Sequence, residues 1–149
     1  MQVQWQYWTG VLAATLLALL AGCQSAPERE KESFPTAESL QGHWQLTALQ
    51  GAEVAEGSRA FIEFSEPPRL TGNGGCNRFF GVYRYQKQAL IIESALGSTK
   101  MACAPEVMVQ EQRLFQLLPK AVTVHKLTEN QLTFYASDGE ELLRVERMR

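Results

Sequence analysis

The stretch "GNGGCNRFFGVY", residues 72–83, gathers the residue types in this chain that could perform chemistry: glycines at 72, 74, 75 and 81, asparagines at 73 and 77, and a thiol at Cys76. Three chemistries suit that composition. A phosphate cradle needs glycines that lead into a helix, so that amide hydrogens and the helix dipole face the anion. Here Asn77 stands where the third glycine of a dinucleotide loop would be, no Lys-Ser/Thr pair follows, and the next residues alternate like a strand. A catalytic thiol needs its pKa lowered by a histidine or a helix N-terminus. His43 and His125 lie far away in sequence and outside any nucleophile motif, so both read as strand residues. Zinc would call for a CxxC pair, and the cysteines here stand singly. The expectation is therefore no catalytic residue, no metal and no cofactor. What the stretch does carry is turn chemistry. Asn73-Gly74 reads as the centre of a type I′ hairpin turn, in which both central residues need positive φ. Gly75 then permits a bulge, and Asn77 bonds to nearby backbone.

Cysteine usage places the chain in a compartment. The run "VLAATLLALLAG", residues 11–22, falls short of the roughly 20 apolar residues a spanning helix needs. It suits the apolar region of a secretory signal peptide ending in small residues. Leu20-Ala21-Gly22-Cys23 is similar to the bacterial lipobox, in which the cysteine is diacylated and becomes the new N-terminus. Residues 1–22 are then a signal peptide, although no Lys or Arg precedes the apolar run. The chain has 3 cysteines. With lipid on Cys23, Cys76 and Cys103 remain as an even pair in a compartment that permits disulfides. Gln24 replaces the aspartate that retains such lipoproteins in the inner membrane, so the expected address is the periplasmic face of the outer membrane. A net charge of −2 and a pI near 5.7 speak against a nucleic-acid footprint.

The elements that must position these residues are mostly strands. Residues 23–39 are polar and carry Pro27 and Pro35, and read as a lipidated N-terminus and tether unable to fold alone. From Leu40 onward apolar residues alternate: Trp44, Leu46 and Ala48 share one face, opposite Gln45 and Thr47. "AFIEF", "RFFGVYRYQ", "ALIIES", "VTVHKL", "QLTFYAS" and "ELLRVER" follow the same two-residue period. Phe79, Phe80, Tyr83 and Tyr85 would divide between the two faces of their strand, one pair inward and one outward. Short turn-rich links predict an antiparallel meander closed into a small barrel, a mainly β (α+β) fold. One segment has helical period, about residues 105–118, with Val107, Met108, Leu114, Phe115 and Leu118 on one stripe. Pro105 suits its first position and Pro119 ends it. Glu111 falls on that apolar stripe, and is expected to reach the rim or pair with an arginine.

Taken together, "LQGHWQL", "GNGGCNRFFGVY", "STKMAC" and "EQRLFQLL" resemble the META domain family, that of the heat-inducible bacterial lipoprotein HslJ. The resemblance runs from Leu40 to about Val145. It implies a compact β-rich domain with one helix, commonly exported and lipid-anchored, and without established catalysis. It places the family's two cysteines at Cys76 and Cys103. Members are associated with heat stress or antibiotic tolerance, and the fold has been likened to lipoproteins that escort secretin subunits. The function expected is that of a non-enzymatic envelope lipoprotein, a monomer that supports outer-membrane integrity by binding a protein or lipid partner. The alternative is a pilot-like chaperone holding an amphipathic peptide or acyl chain in the barrel.

Overall fold

The computed structural model describes residues 33–148. The signal segment, Cys23 and the first part of the tether lie outside the described residues. A short helix α1 (Ala37–Leu40) leads into β1 (Gly42–Leu49), β2 (Ala52–Glu53), β3 (Phe61–Phe64), β4 (Arg69–Asn73), β5 (Arg78–Gln86), β6 (Ala89–Ile92) and β7 (Gly97–Ser98). Helix α2 (Pro105–Leu117) and a 3-10 turn (Leu118–Lys120) then precede β8 (Thr123–Thr128), β9 (Gln131–Tyr135) and β10 (Glu141–Arg147). All strand pairings are antiparallel, in the order β10-β9-β8-β6-β5-β4-β3-β1. The ring closes where β1 pairs with β10, so the sheet is the expected barrel with one helix packed on it. Closure is what removes the exposed edges of so many short strands.

The two-residue period sets the core. Trp44, Leu46, Ile62, Phe64, Leu70, Phe79, Tyr83, Leu90, Leu132, Phe134 and Val145 all point inward and are buried. Phe64 meets Tyr83 edge-on at 5.0 Å and stacks on Phe134 at 5.9 Å, which fills the barrel interior with rings. Each fully buried side chain of this kind contributes about 1.5–3 kcal/mol. The interior is thus occupied by the protein's own side chains. Leu114, Leu117 and Leu118 carry the helix onto this core.

Three expectations are corrected. Asn73-Gly74 is not the centre of the hairpin turn: Asn73 is still in β4, paired with Arg78, and the connection is the four-residue loop 74–77, closed by Gly74 N–H donating to Asn77 O at 2.9 Å. Only Gly75 in that loop has positive φ, at 118°. β4 itself was hidden in the sequence because its glycine and asparagine read as turn formers. The four aromatics do not split evenly either. Phe79 and Tyr83 are buried and Tyr85 half-buried on one face, and Phe80 alone lies outside. Finally, residues 33–39 are not all tether. Pro35 and Leu40 are buried, Tyr85 Oη donates to Pro35 O at 2.9 Å, and Trp44 Nε1 donates to Leu40 O at 2.8 Å. Ser33 exchanges two backbone bonds with Lys126, beside the joint where β6 and β8 pair through Ala89 and Thr123. Burial pushes the phenols of Tyr83 and Tyr85 above their ordinary value.

The tight hairpin of the type sought at Asn73 occurs elsewhere. Gln86 pairs with Ala89, and Lys87 and Gln88 between them have φ of 49° and 68°. Side chains with a Cβ are strained there by about 1–2 kcal/mol each. Replacing Lys87-Gln88 by Asn-Gly is expected to raise the free energy of unfolding by about 1 kcal/mol, with an unchanged urea slope. A lower midpoint in urea would show that this turn is not of that type.

Candidate functional site

Helix α2 starts without a side-chain cap; Pro105 opens it, and Val107 N–H and Met108 N–H both donate to Ala104 O at 3.1 Å. Its buried face differs from the expected stripe of Val107, Met108, Leu114, Phe115 and Leu118, on which Glu111 was the one exception. Leu114 and Leu117 are buried, but so are Gln110 and Glu111, at 8% and 4% exposure, and Val107 and Met108 are only half-buried. A buried polar side chain has to find hydrogen-bond partners or lose about 1–3 kcal/mol. These two find them in the glycine loop.

Asn77 is the centre of the arrangement and is 3% exposed. Its backbone N–H donates to Glu111 Oε2 at 2.6 Å, and its Nδ2 donates to Glu111 Oε1 at 2.7 Å and to Met101 O at 3.3 Å. Its Oδ1 accepts from Thr99 Oγ1 at 2.8 Å and from Met101 N–H at 2.7 Å. Asn77 therefore joins the hairpin, the segment after β7 and the helix, a reach well beyond the local bonding expected. Glu111 neither snorkels to the rim nor stands in any of the ion pairs among the described residues. Gln110 does the same on the other side. Its Oε1 accepts from Ala55 N–H at 2.7 Å, and its Nε2 donates to Ser58 Oγ at 2.8 Å and Gly74 O at 3.1 Å.

The glycines explain how the loop comes so close. A Cβ at Gly74 would stand 2.6 Å from Glu111 Cγ, and one at Gly75 would stand 2.9 Å from Val107 Cγ1. Asn73 Oδ1 accepts from Gly75 N–H at 2.7 Å, which shapes the turn from within. Gly72 and Gly81 make room inside the sheet instead: a Cβ at Gly72 would lie 2.5 Å from the Phe79 ring, and one at Gly81 2.5 Å from Leu96. Cys76 and Cys103 come to disulfide distance across this junction, with Cα atoms 6.0 Å apart and a sequence separation of 27. A link closing a loop of that length stabilises by about 3–4 kcal/mol on the chain-entropy model.

Beside this junction lies a groove of about 610 Å³ between residues 98–102 and helix α2. Met101, Met108, Val109 and Phe115 give it apolar walls, Asn77 and Glu111 a polar floor, and Lys100, Gln112 and Gln116 its rim. Met101 and Val109 are 54% and 66% exposed, large apolar surface left to water. Among the described residues no cluster of three or more histidine, cysteine, aspartate or glutamate side chains could hold a metal. The groove thus sets exposed apolar walls beside a polar floor and rim.

A META domain model matches residues 37–149, which spans the barrel, the helix and the whole junction. The chain belongs to the META domain family. The match begins within the segment that composition assigned to the tether, in agreement with the packing of α1. One solved structure, known by NMR, is 28% identical to this META domain protein with a TM-score of 0.60, covering 76% of this chain and 95% of its own. A second NMR structure, from Burkholderia xenovorans, is 23% identical with a TM-score of 0.59, covering 75% of this chain and 86% of its own. A DUF4847 family protein from Bacteroides vulgatus shares the fold at 11% identity and a TM-score of 0.50, covering 72% of this chain and 93% of its own. No curated protein matches the chain.

Sequence reading singled out Gly72, Asn73, Gly74, Gly75, Cys76, Asn77, Gly81 and Cys103, and the structure gathers all but Gly72 and Gly81 around the loop junction. Thr99 and Met101 entered only through the family segment "STKMAC", without a bonding role, and Gln110 was not singled out. The signal that could have found Gln110 is its adjacency to Glu111, two long polar residues where a core-facing helix turn calls for leucine. Asn77→Ala removes four side-chain hydrogen bonds and is expected to destabilise the domain by about 3 kcal/mol. Glu111→Gln keeps the shape but turns an NH₂ group toward an Asn77 donor, with an expected cost of about 1–3 kcal/mol. Urea denaturation measures both. A change below about 0.5 kcal/mol in either would remove the pair from its central place.

Proposed function

We propose that this chain is an envelope lipoprotein whose META domain works by binding, without altering its ligand chemically, and that the groove beside α2 is where it binds. The observation that carries the proposal is the exposure of Met101 and Val109, the first on backbone held by two hydrogen bonds to the buried Asn77 and the second on helix α2. Exposed apolar surface set in a polar rim is the usual mark of a protein or membrane contact. Methionine suits such a wall because its flexible thioether adapts to different apolar partners. The reactive-looking residues, by contrast, hold each other: Glu111 accepts from Asn77, and Cys76 faces Cys103. We place the protein on the periplasmic face of the outer membrane through lipid on Cys23, as a monomer that supports envelope integrity or tolerance to stress and hydrophobic antibiotics. Two acyl chains make anchoring stable, since each buried methylene contributes about 0.8 kcal/mol.

The second reading is a pilot-like chaperone that holds an amphipathic peptide or an acyl chain. The groove favours it over the barrel lumen, because the lumen is filled by Phe64, Tyr83 and Phe134. Its volume lies within the range of ligand sites, about 300–1,000 Å³.

Two measurements test the proposal. Met101→Glu together with Val109→Glu should leave unfolding midpoint and abundance unchanged, because both side chains point to water, yet reproduce the antibiotic or stress sensitivity of a deletion strain. Wild-type tolerance from that double variant would move the binding surface elsewhere. Cys23→Ser should release the protein from membranes into the soluble periplasmic fraction. A serine variant that still fractionates wholly with membranes would refute the lipid anchor.

A further inference from the structure

The outer face of β3, β4 and β5 carries a second depression, of about 690 Å³, on the side of the sheet away from the core. Its residues fall in two rows across the strands. One row runs Phe61, Asn73, Arg78; the next runs Glu63, Thr71, Phe80, with His43 of β1 beyond it opposite Glu63. Arg59, two residues before Phe61, also lines the depression, which thus carries two arginines. Among the described residues neither Arg59 nor Arg78 takes part in an ion pair or a side-chain hydrogen bond. Phe80 is 63% exposed. Its ring is nevertheless held in place, because it covers Gly97 on the paired strand β7, where any Cβ would collide with it. At the far end, Glu63 accepts from Thr71 Oγ1 at 3.0 Å and Ser65 Oγ at 3.3 Å, with His43 Nε2 at 3.1 Å.

The chemistry of this face narrows its occupant. An extended peptide that pairs by its backbone needs a free strand edge. β3, β4 and β5 have neighbours on both sides. An acyl chain needs a continuous apolar wall, and here Asn73, Thr71, Glu63 and the arginines interrupt it. Nucleic acid needs a dense excess of positive charge, and the chain is net negative. What remains is a hydroxylated ring that carries a carboxylate. Its C–H face would lie on the Phe80 ring, its hydroxyls would donate to Glu63 and accept from Asn73, and its carboxylate would meet Arg78 and Arg59. We infer that the outer face of β3–β4–β5 is a binding site for an acidic saccharide, separate from the groove beside α2.

The test is an NMR titration of the purified full chain with a galacturonate oligosaccharide, its neutral methyl ester and acetate. The acidic oligosaccharide should shift the amides of Asn73, Arg78, Phe80 and Thr71. The methyl ester should bind about tenfold more weakly, as loss of a charge-assisted hydrogen bond requires, and acetate should not compete at equal carboxylate concentration. Arg78→Gln should weaken the uronate about tenfold, and Phe80→Leu, which keeps a cover over Gly97, about fivefold. Lys100→Gln, on the groove rim, should leave the affinity unchanged. The inference is overturned if no shifts occur, if acetate matches the uronate, if the shifts fall on Met101 and Val109, or if the Arg78 and Phe80 variants bind as the wild type does.

Discussion

The hydrogen bonds between Asn77 and Glu111 are the constraint on which the surface of this protein depends. One residue sits at the end of a hairpin loop and the other in the middle of a helix, 34 residues apart, and both are nearly inaccessible to water. A barrel of this kind can bury a helix by apolar contact alone, and Leu114, Leu117 and Leu118 do so. Apolar contact has no direction, however, and a helix held only by leucines can slide or rotate on its bed. Two N–H groups aimed at two carboxyl oxygens fix both the rotation of α2 and its distance from the loop. Buried polar networks of this sort specify an arrangement more than they add net stability.

That constraint propagates through backbone that only glycine permits. Gly74 and Gly75 lie against Glu111 and Val107 so closely that a methyl group at either would push the helix away. Asn77 Oδ1 also holds Thr99 and Met101, so the chain between β7 and α2 runs along the helix at a set distance. The groove is a consequence of that spacing. Cys76 and Cys103 meet across the same junction, where the hairpin and the entry to α2 converge.

A filled barrel leaves two outward depressions, and their chemistry differs. The groove beside α2 is apolar with a polar floor, built from a helix and an irregular segment. The face on β3, β4 and β5 is polar with one exposed ring, built from rigid strands. Binding sites commonly sit where loops and elements meet on a fixed scaffold, and the scaffold alone does not name the ligand. The filled interior also separates this fold from barrels that carry their cargo inside. Phe64, Tyr83 and Phe134 take up the space a ligand would need.

Much of this was legible in the sequence, because it rests on periodicity. The alternation in "RFFGVYRYQ" and "ELLRVER" marks β5 and β10 residue for residue, and Pro105 marks the start of α2. Family membership was likewise written in the glycine-cysteine-asparagine motif and the "STKMAC" segment. What local pattern could not supply was any relation between residues far apart in sequence. Asn73-Gly74 has the composition of a tight turn, but β3 on one side and β5 on the other hold Asn73 in a ladder, and the turn falls one residue later. Lys87-Gln88 has no turn signature and makes the two-residue turn because strands of fixed register must meet there. Glu111 looked like a misplaced charge on an apolar stripe, and only the fold supplies the amide groups that satisfy it. The sequence by itself determined the longer strands and the main helix, since those depend on spacing within a few residues, whereas β4 with its turn-forming glycine and asparagine was decided by its neighbours in the sheet. The partners of its buried polar side chains were decided by tertiary structure alone, since a hydrogen bond depends on where two distant segments come to lie.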